Sequence, residues 1–168
     1  MESLSNLDIA VRLAAAMVLG ALVGLERERK HRPAGFRTLI LVSMGSAAFM
    51  ILGREAIALP GASPGPAQSA DLTRVLQGLI GGIGFIGAGA VLHGRQSVHG
   101  LTTAAGIWVT AAIGAASGLG ALGVALTLTV GTVFTLFVLD RLQVFVTGDQ
   151  TATPTPPSQP KDEHPAGD

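Results

Sequence analysis

The stretch whose reading decides the fold is Leu72 to His93, LTRVLQGLIGGIGFIGAGAVLH. About twenty helical residues reach across the roughly 30 Å hydrocarbon core of a bilayer, and this run is long and apolar enough to do so. It also carries Gly78, Gly81, Gly82, Gly84, Gly87 and Gly89. In water each glycine costs about 1 kcal/mol against alanine inside a helix, so an isolated helix here is poor. In lipid the same glycines let two helix backbones approach closely, and van der Waals contact replaces the hydrophobic drive that lipid removes. The segment therefore reads as the central, helix-packing span of a membrane bundle. Any unwound turn within it is tolerable only where protein covers the freed backbone groups.

Within that run, Gly82-Ile-Gly84-Phe-Ile-Gly87 formally matches the glycine fingerprint of dinucleotide-binding folds. That fingerprint needs a preceding strand, a following helix and an acid about twenty residues on, all in a soluble βαβ unit. Here it lies inside an apolar run, and no acid follows until Asp140. Close helix packing is the simpler reading.

The 168 residues are 48% hydrophobic and 13% charged, which is membrane-protein composition. Formal charge sums to zero, so nothing points to nucleic acid as a partner. No cysteine is present, which removes disulfides, thiolate nucleophiles and cysteine metal sites. The two lysines, Lys30 and Lys161, follow no glycine-rich loop, so there is no phosphate-binding P-loop. Nucleophile-elbow, zinc-protease and calcium-loop motifs are missing as well. His93 and His99, six residues apart without a neighbouring carboxylate, do not make a metal site. No catalytic activity, cofactor or metal is expected.

Outward from the central run, apolar periods place spans at about 7–25, 36–57, 72–92, 101–118 and 119–139. The fold class is an all-α membrane protein, a bundle of about five transmembrane helices with a glycine-rich central helix and a disordered C-terminal tail. Residues 1–146 form the transmembrane domain, and the proline-rich tail 147–168 is cytoplasmic. If the glycine-rich segment were re-entrant, four spans would result. Arg12 lies near one end of the first span, where it snorkels or pairs with an acid such as Asp71. Gly20 and Gly24 form a small-residue face for helix contact. Glu26 to Arg37 holds five basic residues against Glu26 and Glu28, and short basic loops stay inside. The N-terminus is therefore expected outside and the C-terminus inside. This loop also suits contact with anionic membrane lipid, or docking of a partner or anion. The segment Leu59 to Ala70 reads as a flexible outer loop.

On the third span, Asp71 caps the helix start and Arg74 lies one turn on. Gln77, Gly81, Gly84 and Ala88 follow 4-3-4 spacing, so they form one polar-to-small stripe. That stripe supplies either an interhelical hydrogen bond or one wall of a solute path. The fourth span, rich in Ala, Gly and Thr, is the other buried helix, with Trp108 filling space against the third. In the fifth, Thr127, Thr129, Thr132 and Thr135 bond back to carbonyls one turn earlier.

Three blocks stand out in order: GLERE with RPAGFRTLILVSMG, then DLTRVLQGLIGGIGFIGAG, then VHGLTTAAGIWVTAAIG. Together they resemble the MgtC/SapB family over about Leu7 to Leu139. The matching positions are Glu26, Arg27, Glu28, Pro33 to Gly35, Arg37, Thr38, Asp71, Arg74, Gln77, Gly82 to Gly89, Gly100 to Ala105 and Trp108. The resemblance implies a multi-pass protein of the bacterial inner membrane, linked to growth in low magnesium, to survival inside macrophages and to restraint of the proton-driven ATP synthase. The namesake member carries a folded cytoplasmic domain after its membrane part; this chain reads as a short form without it. Two functions follow as expectations. One is a non-enzymatic regulator that contacts another membrane protein, ATP synthase among the candidates, or a second copy of itself. The other is a small transporter of Mg²⁺, K⁺ or protons, with Asp71, Arg74 and Gln77 along its path.

Overall fold

A computed structural model of the chain describes residues 4–58, 66–93 and 98–147. Five helices make up the fold: α1 (Asn6–Arg29), α2 (Phe36–Ala58), α3 (Pro66–Gly89), α4 (Leu101–Leu119) and α5 (Leu122–Thr147). Between α3 and α4 a two-residue ladder, β1 (Leu92–His93) with β2 (Val98–His99), pairs antiparallel. Its register sets Leu92 against His99 and His93 against Val98, so the two histidines are not cross-strand partners. Among the described residues no group of three or more His, Cys, Asp or Glu is placed to hold a metal ion. The expected tail beyond Thr147 lies outside the described residues.

Local chemistry sets the ends of these helices. At the start of α1, Ser5 and Asp8 form a capping box: the Asp8 amide donates to Ser5 Oγ at 3.1 Å, and the Ser5 amide to the Asp8 carboxylate at 3.3 Å. The helix runs past its apolar stretch to Arg29, because backbone hydrogen bonding does not stop where polarity changes. An i,i+4 pair of Glu26 and Lys30 supports that last turn. The α3 helix starts at Pro66, inside the stretch read as a flexible loop. Proline suits a first helical position, where its missing N–H would have no partner anyway. From there α3 is one continuous helix through its glycines, neither unwound nor re-entrant. Gly120, at φ 83°, ends α4, donating to the Ala116 and Ser117 carbonyls before α5 begins.

Four of the helices are long and apolar enough to cross a membrane, and the fifth holds a shorter apolar segment, Leu122–Val138. Their outer surfaces carry Leu7, Val18, Leu41, Leu52 and Phe134 in the open, as lipid-facing helices do. The chain is a multi-pass membrane protein.

One expectation is corrected. The glycine-dense α3 is not the centre of the bundle: 61% of the α4 span is buried, against 6% for α3. It is α4 that packs against α1, α2, α3 and α5. Among the described residues, a Cβ added at Gly78, Gly81, Gly82, Gly84 or Gly89 would meet nothing within 4 Å, and at Gly87 only Ala104. Glycine permits close approach without choosing the neighbour, and within this chain the close approaches are elsewhere. A Cβ on Gly20 would lie 2.7 Å from Ser43 Cβ, and one on Gly24 2.8 Å from Phe36 Cα. On α4, a Cβ at Gly114 would overlap the Ser43 carbonyl oxygen, and at Gly118 that of Ala47. Ser43, fully buried, donates from Oγ to the Ala16 carbonyl at 2.7 Å and so ties α2 to α1 at the same level. Around this junction Leu19, Val23, Leu39, Ile107 and Ile113 form the apolar core. Hydroxyls elsewhere inside the spans bond back one turn, as at Thr110, Thr127, Thr129 and Thr132.

This packing makes a direct prediction for two glycine-to-alanine changes. Gly114→Ala drives a methyl into the Ser43 carbonyl and should cost about 1–3 kcal/mol, the usual range for overpacking. Gly82→Ala meets open space and should be neutral or gain up to about 1 kcal/mol of helix propensity. Thermal unfolding in detergent separates the two; equal midpoints would refute the α2–α4 contact.

Candidate functional site

The last turn of α1 sends three consecutive charged residues in three directions. Arg27 is 3% exposed, so its guanidinium must find acceptors inside the protein. Its Nη2 donates to Thr103 Oγ1 at 2.6 Å, in the first turn of α4, and to the Pro33 carbonyl at 3.2 Å. One side chain thereby ties α1, the following loop and α4 together. A cation in the last turn also complements the negative end of the α1 dipole.

Glu28 works on the loop's other side. Its Oε2 accepts from the Phe36 amide at 3.1 Å, and Phe36 opens α2. Gly35, just before α2, has no side chain with which to cap the helix, and any Cβ there would strike the Glu28 carboxylate. The carboxylate thus caps α2 from a distance and sets a negative charge at the positive end of its dipole. Between these anchors the chain turns tightly, with His31 at φ 49° and Ala34 at φ 55°.

Glu26 turns toward α5. Lys30 Nζ approaches its Oε1 at 2.5 Å, yet both carboxylate oxygens are buried and neither receives a hydrogen bond of acceptable geometry. The same ammonium donates to the Leu136 carbonyl at 3.0 Å and lies 5.8 Å from the Phe137 ring centroid. The α1 end is thereby fastened to α5. Above this contact α1 and α5 part to leave a groove of about 620 Å³.

The opposite end of the bundle has its own anchor. Arg12 Nη1 donates to the Gly118 carbonyl at 2.7 Å, so this half-buried cation caps the C-terminus of α4. The expected pairing with Asp71 rests on a side chain outside the described residues. A backbone carbonyl is the acceptor, a partner that leaves no mark in sequence.

The residues singled out by sequence divide accordingly. Glu26, Arg27 and Glu28 converge on one end of the bundle, while Arg37 is exposed at the start of α2. Arg74 and Gln77 are exposed on α3, and the Asp71 side chain lies outside the described residues. Gln77, Gly81, Gly84 and Ala88 are all exposed, so this stripe does not line an interior path within one chain. Trp108, 52% exposed, borders a shallow cavity of about 110 Å³ shared with Leu76, Leu79, Ile80 and Ile83 of α3. Thr103 and Lys30 were missed as partners. Thr103 was visible only as one of two threonines near a helix start, and the tie from Lys30 to a carbonyl has no sequence signal.

Residues 13–145 match the model of the MgtC family. The protein SrpB of Synechococcus elongatus is 46% identical over 86 residues, 51% of this chain and 45% of that protein. Protein MgtC of Brucella abortus is 40% identical over 82 residues, 49% of this chain and 30% of that protein. Protein MgtC of Salmonella typhimurium is 40% identical over 88 residues, covering 52% and 33%. The chain thus spans less than half the length of these relatives. No solved structure matches it.

The Arg27 anchor is tested by two adjacent threonines. Thr103→Val leaves a buried guanidinium one acceptor short and should cost about 1–3 kcal/mol. Thr102→Val, at an exposed neighbour, should change stability by no more than about 0.5 kcal/mol. If both variants unfold at the wild-type temperature in detergent, Thr103 is not a structural partner of Arg27.

Proposed function

The chain belongs to the MgtC family, and from that premise we propose that it is a non-enzymatic regulator of the bacterial inner membrane, linked to magnesium limitation and membrane energetics. It acts by contact with another membrane protein. The observation that carries this reading is the state of α3, a glycine-rich span only 6% buried, with Gly81, Gly82 and Gly84 exposed and Phe85 83% exposed beside them. A helix surface that faces only lipid gains nothing from glycine and gives up about 1 kcal/mol of helix propensity at each one. Glycines on an open face make sense when a second helix backbone lies against them. Gln77, exposed on the same helix, adds an amide that hydrocarbon cannot satisfy and a neighbouring helix can.

Charge supports an orientation with the N-terminus outside and the C-terminus in the cytoplasm. Arg27, Arg29, Lys30, Arg32 and Arg37 gather at the α1–α2 turn, and short basic loops are retained inside. The energetic link comes from the family resemblance, which makes the proton-driven ATP synthase the first partner to examine.

The test is co-purification of the tagged chain with ATP synthase from membranes solubilised in mild detergent. Gly84→Leu should abolish recovery while membrane abundance and thermal midpoint stay at wild-type values, because a Cβ at this exposed position meets nothing within 4 Å among the described residues. Undiminished recovery with Gly84→Leu would remove the α3 face from the contact. No recovery with the wild type would remove this partner.

A further inference from the structure

The groove between α1 and α5 has a polarity gradient along its length. Its walls are apolar over Leu22, Leu25, Val130 and Phe134, and its charged lining, Glu26, Arg29 and Lys30, is confined to one end. The two helices run in the same direction here, since Lys30 meets Leu136 and Phe137 while Leu22 and Thr129 line the far end. From Leu22 to Lys30, and from Thr129 to Phe137, each wall covers about 12 Å of helix rise. At about 620 Å³ the groove falls within the roughly 300–1,000 Å³ typical of ligand clefts, and it is open along one side of the bundle.

We propose that this groove seats an acyl chain of an anionic phospholipid, whose phosphate is held at Arg29. Charge decides the class of occupant. Glu26 is matched by Lys30, and Glu28 is engaged at the start of α2. What remains is a positive surplus: Arg29 on the groove wall, in a segment whose next basic residues, Arg32 and Arg37, are exposed. The charged end is also where α1 leaves its apolar stretch, the depth at which headgroup phosphates lie. A transmembrane helix brings an anion to Arg29 only where an acid happens to fall at this depth, as Glu26 does on α1, whereas an anionic lipid brings one by its chemistry. An acidic peptide brings the anion but no apolar tail for Leu22, Leu25 and Phe134. A phospholipid brings both, and its phosphodiester gives a guanidinium two oxygens to grip. The seat lies on the α1–α5 side of the bundle and does not depend on the α3 contact proposed above.

Native mass spectrometry of the full-length, delipidated chain tests this, using mixed micelles with equal phosphatidylglycerol, phosphatidylethanolamine and phosphatidylcholine. Phosphatidylglycerol should be retained about tenfold over phosphatidylcholine, because both bring the phosphodiester but only phosphatidylcholine adds a quaternary ammonium that Arg29 repels. Arg29→Gln, at an exposed position, should bring the three lipids to parity. Val130→Trp fills the groove from a residue 68% exposed and should lose retention of all three. Val124→Trp, 55% exposed on the same helix but outside the groove, should retain lipid as the wild type does. Equal retention of the three lipids by the wild type would overturn the proposal. So would a preference for phosphatidylethanolamine, an unchanged preference in Arg29→Gln, or undiminished retention in Val130→Trp.

Discussion

The structure depends on backbone meeting backbone at Ser43. Three helices come together there around one small side chain: Gly20 of α1 lies against the Ser43 Cβ, Gly114 of α4 against the Ser43 carbonyl, and the Ser43 hydroxyl is bonded to the Ala16 carbonyl. In water, burial of apolar surface would draw these helices together. In lipid that drive is missing, so the approach must be close enough for dispersion and one well-made hydrogen bond to hold it. The contacts recur one turn along, with Gly24 against Phe36 and Gly118 against Ala47. Because 43 and 47 on α2 meet 114 and 118 on α4 in the same order, the two helices are parallel and in fixed register. A one-residue slip would bring a Cβ onto a carbonyl.

That register places the polar ends. The same number of residues separates Arg12 from Arg27 on α1 as separates Gly118 from Thr103 on α4, about 22 Å of rise in each case. Both arginines therefore find partners on α4 at once, Arg12 at the C-terminal carbonyl and Arg27 at the first-turn hydroxyl. The span between them is shorter than the roughly 30 Å hydrocarbon core, so each cation falls near an interface rather than at mid-membrane, where charge is most costly. Satisfying both also resists sliding of α1 along α4. Any displacement that spares one hydrogen bond breaks the other.

Much of this was legible in the sequence and some was not, for reasons particular residues show. Long apolar runs and a basic first turn gave a multi-span α-helical membrane protein, because the bilayer leaves few alternatives for satisfying backbone groups. The three sequence blocks gave the family. The centre of the bundle was misplaced because Gly78 to Gly89 and the Ala, Gly and Ser residues of α4 both signal close packing. Composition does not say whether the neighbour belongs to the same chain. Gly114 and Gly118 fall four apart on a helix of small residues, yet only the folded chain sets a backbone oxygen against each. At the charged end, sequence found Glu26, Arg27 and Glu28 but read them as part of a basic inner loop suited to anionic lipid, a partner or an anion. Burial of Arg27 and the distant cap made by Glu28 depend on how the α1–α2 turn folds back, and the left-handed residues in that turn, His31 and Ala34, are not the glycines that would announce it.

The bundle therefore has a closed part and an open part. The α1, α2 and α4 helices are locked by backbone contact and by the two arginines. The α3 helix is held through contacts such as Gly53 with Val75 and Gly87 with Ala104, and α5 is tied to α1 at Lys30. Elements held by few contacts are the ones that open first and the ones that change partners at least cost. On this physical ground the α3 face and the α1–α5 groove are the places to look for function. Rearranging the locked triad would require breaking a register that no side-chain motion can relax. A helix docking on α3, or a lipid entering beside α5, leaves that register untouched.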